Sequence, residues 1–309
     1  MITELGVPPL LVSRLKEKKR LLEANDKKHT FIKTALIIDG GAMKGVFAAG
    51  VIAALKELGF ENIFDIVIAV SSGTLSASYL LSGEGDVAPK VFYEDLASKQ
   101  FINLWKLHPM KIVGIDYSNT IFLQKKPIKQ NTLRQSRSQF YIGVTDPDTA
   151  KTIYLDMKKG DVDILAAMNA SSAIPLLHNK MVTIYGKQYL DGMISSGIPI
   201  TPALEMGCTD ILIIENMPYG KPNFIQIPFL SVLFSIYKFQ VNPAVKKAIF
   251  ERTKHYFETI EEIRKAQKKG ITIGIIAPSK PTVDAFSINS KLLRQTAEEA
   301  KRKTLQIFS

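Results

Sequence analysis

Apolar residues along this chain fall into two patterns. Short apolar runs at residues 35–38 (Ala-Leu-Ile-Ile), 64–68 (broken by Asp65), 140–144, 211–214 and 271–276 (interrupted by Thr272 and Gly274) have the length of strands, which predicts buried strands. Longer stretches have the spacing of helices. Residues 46–58 are apolar-rich and stop at Gly59; residues 75–81 are small and apolar; residues 250–269 are heavily charged and stop at Gly270; residues 287–307 form a final helix. Residues 14–28 form a further charged helical stretch near the start. Residues 181–186, followed by Tyr189-Leu190-Asp191, read as a hairpin, and the helix before it ends in Ala170-Ser171-Ser172-Ala173-Ile174-Pro175, stopped by proline. Neither a repeat nor a low-complexity linker interrupts the pattern.

The chemistry sits where the two patterns meet. Ala69-Val70-Ser71-Ser72-Gly73 joins an apolar run to a helical one. A serine between strand and helix with small neighbours is the layout of a nucleophile elbow: the turn is tight, and the helix aims its positive end at the hydroxyl. Ala69 stands where the first glycine of G-x-S-x-G is usual, and alanine tolerates positive φ poorly. A plain strand–turn–helix is the alternative. Ser72 is a rival nucleophile, but Ser71 lies two residues before Gly73, as the elbow requires. Earlier, Asp39-Gly40-Gly41-Ala42-Met43-Lys44-Gly45 links the first buried strand to its helix. Such a turn exposes N–H groups suited to anions. A dinucleotide fingerprint fits it loosely, with Gly40, Ala42 and Gly45 in the glycine positions, and a P-loop fails because Gly45 follows Lys44. An oxyanion hole built from the N–H groups of Gly41 and Ala42 is the third reading, and a simple connecting turn the fourth. Asp191 before Gly192 could merely cap a turn.

Taken in order, the Asp-Gly-Gly-Ala-Met-Lys-Gly loop, the serine elbow, the Ala-Ser-Ser-Ala-Ile-Pro segment and Asp191-Gly192-Met193 resemble the patatin-like phospholipases, over roughly residues 34–215. The resemblance implies an α/β fold with a central, mostly parallel sheet sandwiched between helices in three layers. It implies hydrolysis of fatty acyl esters of phospholipids, lysophospholipids or related lipids through a Ser-Asp dyad, with Ser71 as nucleophile and Asp191 as base. It places the oxyanion hole at Gly40, Gly41 and Ala42, the elbow between Ala69 and Gly73, and Lys44 and Gly45 behind the loop. Lys44 either holds the loop, lies near a lipid phosphate, or is a solvated lysine at a helix start. The sequence departs from the family at Ala42, Ala69 and Met193. A methyl at Ala42 would crowd the acyl oxygen, so a lipid-surface protein of the same fold without turnover is the rival expectation. A histidine base has little support among His29, His108, His178 and His255: only His255 follows Asp191, and it falls in the charged helical stretch.

Composition adds limits. The 40 Lys and Arg against 29 Asp and Glu give a net charge of +11. The basic residues concentrate at both ends (Arg14, Lys16, Lys18, Lys19 and Arg20; Lys291, Arg294, Lys301, Arg302 and Lys303), which favours an anionic membrane surface as partner. No finger or RNP motif points to nucleic acid. The single cysteine, Cys208, is expected to be a buried thiol, no metal-ligand spacing exists, and no metal or cofactor is implied. No signal peptide and no apolar run of the ~18 residues of a membrane span appear. The longest candidate, residues 224–239, is broken by prolines and polar groups. A cytoplasmic protein, peripheral to the membrane, is expected, with secretion by a route lacking a cleaved signal as the alternative. The expected organisation is a basic helical extension (1–33), the catalytic core (34–215) and a helical cap or interfacial segment with a late strand and terminal helix (216–309), in one domain. Aromatic segments at 101–140 and 219–245 are candidate lids, the second preferred for its recurring phenylalanines.

Overall fold

The computed structural model of the chain describes residues 6–25, 32–103, 105, 112–159, 162–175, 177–178, 181–222 and 242–309. The preferred lid segment falls mostly outside these residues. The elements in order are α1 (Pro9–Glu23), β1 (Thr34–Ile38), α2 (Val46–Glu57), β2 (Ile66–Val70), α3 (Gly73–Leu81), α4 (Ala88–Lys90), α5 (Ile115–Thr120), α6 (Gln130–Gln135), β3 (Gln139–Thr145), β4 (Thr152–Asp156), α7 (Ile164–Ser171), β5 (Val182–Ile184), β6 (Lys187–Asp191), α8 (Thr201–Glu205), β7 (Asp210–Ile214), α9 (Pro243–Lys268), β8 (Thr272–Ile276) and α10 (Ser290–Phe308).

Five strands run parallel in the spatial order β3-β2-β1-β7-β8. Every residue of β1, β2 and β7 is buried, as their unbroken apolar runs require of strands covered on both faces. One apolar cluster lies between the sheet and α2, α3 and α10; a second fills the opposite side with Ile37, Ile68, Ile213, Tyr256 and Ile260 under α9. The result is an α/β sandwich of helix, sheet and helix. Cys208 is buried in the second cluster, and burial pushes its thiol up to about 11.

Strand β3 is the ruler of the site. Antiparallel β4 pairs with Tyr141 to Thr145 along one edge of β3. Its other edge is shared: β2 pairs as far as Val70 opposite Gly143, and β6 continues with Asp191 opposite Val144 and Leu190 opposite Thr145. The last residue of β2 and Asp191 are therefore consecutive rungs on one strand. The hairpin that delivers β6 turns through Tyr185 and Gly186, both at positive φ (50° and 74°), as a tight two-residue turn requires.

The basic start of the chain is largely spent on internal contacts. Lys18 is buried and bonds Thr34 (2.8 Å) and Asp65, Arg14 pairs with Asp210 (2.9 Å), and Lys19 donates to the Leu58 carbonyl (2.8 Å). Leu11 and Leu15 of α1 join the main apolar cluster. Among the described residues no helix is long and apolar enough to cross a membrane.

Candidate active site

The chain leaves β2 at Val70 and reverses through Ser71, whose φ of 49° lies in the left-handed region. A non-glycine residue there costs about 1 kcal/mol or more unless its surroundings hold it. Four bonds do so. The Ser71 carbonyl accepts from the Thr74 N–H (3.0 Å) and hydroxyl (2.6 Å). The Ser71 N–H donates to the Ser171 hydroxyl (2.7 Å), which in turn donates to the Gly143 carbonyl (2.6 Å). The end of α7 is thus tied to both the elbow and β3. Ala69 is an ordinary residue of β2, paired with Ile38 and Ile142, so the left-handed conformation falls on the serine and a glycine is not needed at 69. Gly73 is needed: a Cβ there would lie 2.6 Å from the Ile38 carbonyl oxygen and 2.7 Å from that of Asp39.

The glycine-rich loop leaves β1 beside the elbow. Gly41 has φ 149° and Ala42 φ 52°, after which a short 3-10 turn leads into α2. Gly40 has no room for a side chain, since a Cβ would strike Met193 and lie 2.7 Å from Ser71 Cβ. Asn216, just past β7, clamps the loop. Its amide donates to the carbonyls of Asp39 (2.8 Å) and Gly40 (3.1 Å) and its oxygen accepts from the Ala48 N–H (3.0 Å). No acceptor among the described residues takes the N–H of Gly41 or Ala42. Gly45 is a packing glycine, where a Cβ would lie 2.6 Å from the Ser72 hydroxyl. That hydroxyl is buried without a bond partner among the described residues, so of the two elbow serines it is Ser71 that meets a carboxylate.

Asp191 closes the arrangement. It is wholly buried, with one oxygen accepting the Ser71 hydroxyl at 2.8 Å and the other accepting the Met193 N–H at 2.8 Å. One oxygen therefore caps the turn, and the other meets the Ser71 hydroxyl. Burial raises its carboxyl from 3.8 to about 6, opposed by the bonds from Met193 and Ser71 and by the charge of Arg252. Asp39, at the root of the glycine loop, is raised by burial to about 7, and Glu215, beside it on the next strand, is also raised by burial. Tyr256 donates to Glu215 at 2.8 Å.

Two cavities meet at Ser71. One is an apolar cleft walled by Leu75, Phe92, Leu96, Phe101 and Phe122 among others. The other is a smaller pocket in which Lys44, Asp191 and Arg252 stand among apolar groups, Met193, Ile194 and Met217 included. Ser71 and Ala42 border both. The first aromatic segment (101–140) thus contributes to the cleft. Lys44 is half-buried and faces the charge of Asp284. His255 lines a separate groove, with Thr152, Ser195 and Glu262, that does not include Ser71. Sequence reasoning missed Asn216, Arg252, Asp39 and the part played by Ser171. Ser171 and Asp39 lay in motifs already singled out; Asn216 and Arg252 did not.

The uncharacterized protein YjjU of Escherichia coli (strain K12) is 28% identical over 191 residues, 60% of this chain and 52% of that protein. The chain thus spans about half the length of the curated relative it matches. Among solved structures, VipD from Legionella pneumophila has a TM-score of 0.46 at 12% identity, over 90% of this chain and 66% of VipD. Human GIVD cytosolic phospholipase A2 has a TM-score of 0.40 at 10% identity, over 98% of this chain and 65% of that one. The profile for patatin-like phospholipase matches residues 36–204. That segment holds the glycine loop, the elbow and Asp191 and makes up more than half of the chain, which belongs to the patatin-like phospholipase family.

Proposed function

We propose that this protein hydrolyses fatty acyl esters of phospholipids or lysophospholipids, with Ser71 as nucleophile and Asp191 as general base. The observation that carries the reading is the 2.8 Å bond between the Ser71 hydroxyl and a carboxylate held in a dry pocket, at the inner end of an apolar cleft. A serine hydroxyl is a weak nucleophile until a base within bonding distance takes its proton. Burial makes Asp191 a stronger base than an exposed carboxylate. The cleft takes the acyl chain. Ser71 Oγ attacks the ester carbon while its proton passes to Asp191. The N–H groups of the Gly40, Gly41 and Ala42 loop bind the oxyanion. Asp191 then returns the proton to the departing alcohol. A water, deprotonated by the same carboxylate, attacks the acyl-serine; the fatty acid leaves as Asp191 passes that proton to the departing Ser71 Oγ, which restores the starting state.

The working unit in this reading is the core of residues 34–215, with the terminal segments covering it. The protein acts at an anionic membrane surface, to which the exposed Lys291, Arg294 and Arg302 of α10 contribute charge. Labelling with a fluorophosphonate, followed by peptide mapping, tests the chemistry. Adduct is expected on the elbow peptide and is lost, with ester hydrolysis, in Ser71→Ala. An adduct that survives this substitution sinks the assignment. Liposome binding without any hydrolysis by the unaltered protein would favour the non-catalytic lipid-surface reading instead.

A further inference from the structure

The glycine loop has few restraints of its own. Gly40 and Gly41 are consecutive, so the peptide between them is flanked by no side chain and rotates at low steric cost. Ala42 then holds a φ of 52°, which an alanine adopts only at a cost. The restraint comes from Asn216, beyond the segment matched by the family profile. Asn216 is buried, and both ends of its amide are engaged. The nitrogen donates to the carbonyls of Asp39 and Gly40, and the oxygen accepts from the Ala48 N–H in the first turn of α2. Its root is firm. The Asp39 N–H donates to the Ile214 carbonyl (2.9 Å) and the Glu215 N–H to that of Ile276 (3.0 Å), so β1, β7 and β8 are paired right up to the amide.

We infer that Asn216 is a positioning residue for the oxyanion hole, acting through the peptide that joins Gly40 to Gly41. In a planar trans peptide the carbonyl and the N–H point in opposite directions. Holding the Gly40 oxygen on Asn216 therefore turns the Gly41 N–H away from Asn216, and Gly41 and Ala42 both border the pocket in which Ser71 and Asp191 stand. A flip of that peptide replaces a donor by a carbonyl oxygen, whose partial negative charge opposes the charge growing on the ester oxygen. The two glycines permit the flip, and the bonds from Asn216 oppose it. The bond from Ala48 serves another end, the start of α2, so the two ends of one side chain can be tested apart. The inference rests on the hydrolase reading, and its test separates the two.

Asn216→Asp and Asn216→Ala are compared with the unaltered protein. Aspartate has nearly the same shape, keeps an acceptor for the Ala48 N–H and offers at most one donor to the two carbonyls; alanine keeps neither. The readouts are kcat and KM for a short-chain ester, the affinity of octylboronic acid, which forms an anionic tetrahedral adduct with a serine, and the affinity of an octyl ether, which binds without developing charge. In both variants kcat is expected to fall about tenfold or more with KM within about twofold, and boronic acid affinity to fall with kcat while ether affinity holds. Unchanged kcat and boronic acid affinity in Asn216→Asp, with a loss only in Asn216→Ala, would assign the side chain to holding α2 and overturn the inference. Ether and boronic acid affinities falling together would overturn it too, because that is a site that has lost its shape. If the alanine variant does not fold, the aspartate variant decides alone. An Asn216-dependent loss of boronic acid binding in a protein without Ser71-dependent hydrolysis would leave this inference standing and refute the hydrolase reading. A boronic acid that the unaltered protein does not bind would overturn both.

Discussion

Replacing Asp191 by Asn is expected to stabilise the fold at neutral pH while removing hydrolysis. The folded-state carboxyl is raised from an ordinary 3.8 to about 6 because it is buried. A carboxyl with a raised pKa favours folding fully below its unfolded pKa, and that contribution is lost as pH rises through the folded value. At about 1.36 kcal/mol per unit, the ionised Asp191 costs the fold up to about 3 kcal/mol above pH 6 or so. Asn has nearly the same shape. Its oxygen still accepts from the Met193 N–H, and its amide can donate to Ser71 Oγ. The charge is what disappears. Asp39 adds to the effect with the same sign, because the negative charge of Asp191 is one of the influences holding it up. Urea unfolding of both proteins at about pH 8 and about pH 4 measures the difference. The Asn variant should be more stable by about 1–3 kcal/mol at the higher pH, and the gap should close at the lower one. A gap that ignores pH, or an Asn variant less stable at pH 8, would show that the buried carboxylate is not strained by its surroundings.

Two further outcomes follow from the same geometry. Hydrolysis of a short-chain ester should fall about tenfold per pH unit below about pH 6, since only the ionised Asp191 accepts a proton; a flat kcat/KM from about pH 5 to 8 would remove it from the role of base. Ser171→Ala deprives the buried Ser71 N–H of its acceptor and the Gly143 carbonyl of a donor. It should cost about 1–3 kcal/mol of stability and lower kcat more than KM; a loss under about 0.5 kcal/mol in urea unfolding would show that the elbow is held by other means.

Much of this arrangement was legible in one dimension. The runs at 35–38, 140–144 and 211–214 are apolar without alternation because their strands are covered on both faces. The elbow and glycine loop were legible because tight turns admit few residue types. The doubt over Ala69 arose from placing the left-handed residue two positions early: the strand runs on to Val70, and Ser71 itself takes the positive φ. Arg252 was invisible because it sits in a helix whose composition is that of a solvated one. Only the packing of α9 against the second apolar cluster turns that residue inward. Asn216 carries no local signal either. It follows a strand and serves a loop more than 170 positions earlier in the chain.

The shared edge of β3 has an implication for engineering and for divergence. Val70 and Asp191 are rungs on one ladder, so the gap between hydroxyl and carboxylate is set by backbone pairing and not by the 120 residues that separate them in the chain. Insertions or deletions between Thr145 and β6 can remodel the rim without moving Ser71 or Asp191, provided that the pairing of Asp191 with Val144 and the bonds of Ser171 at the end of α7 are kept. A slip of β6 by a single residue has the opposite effect: it turns Asp191 to the other face of the sheet and parts it from the Ser71 hydroxyl, however well the rest of the molecule folds.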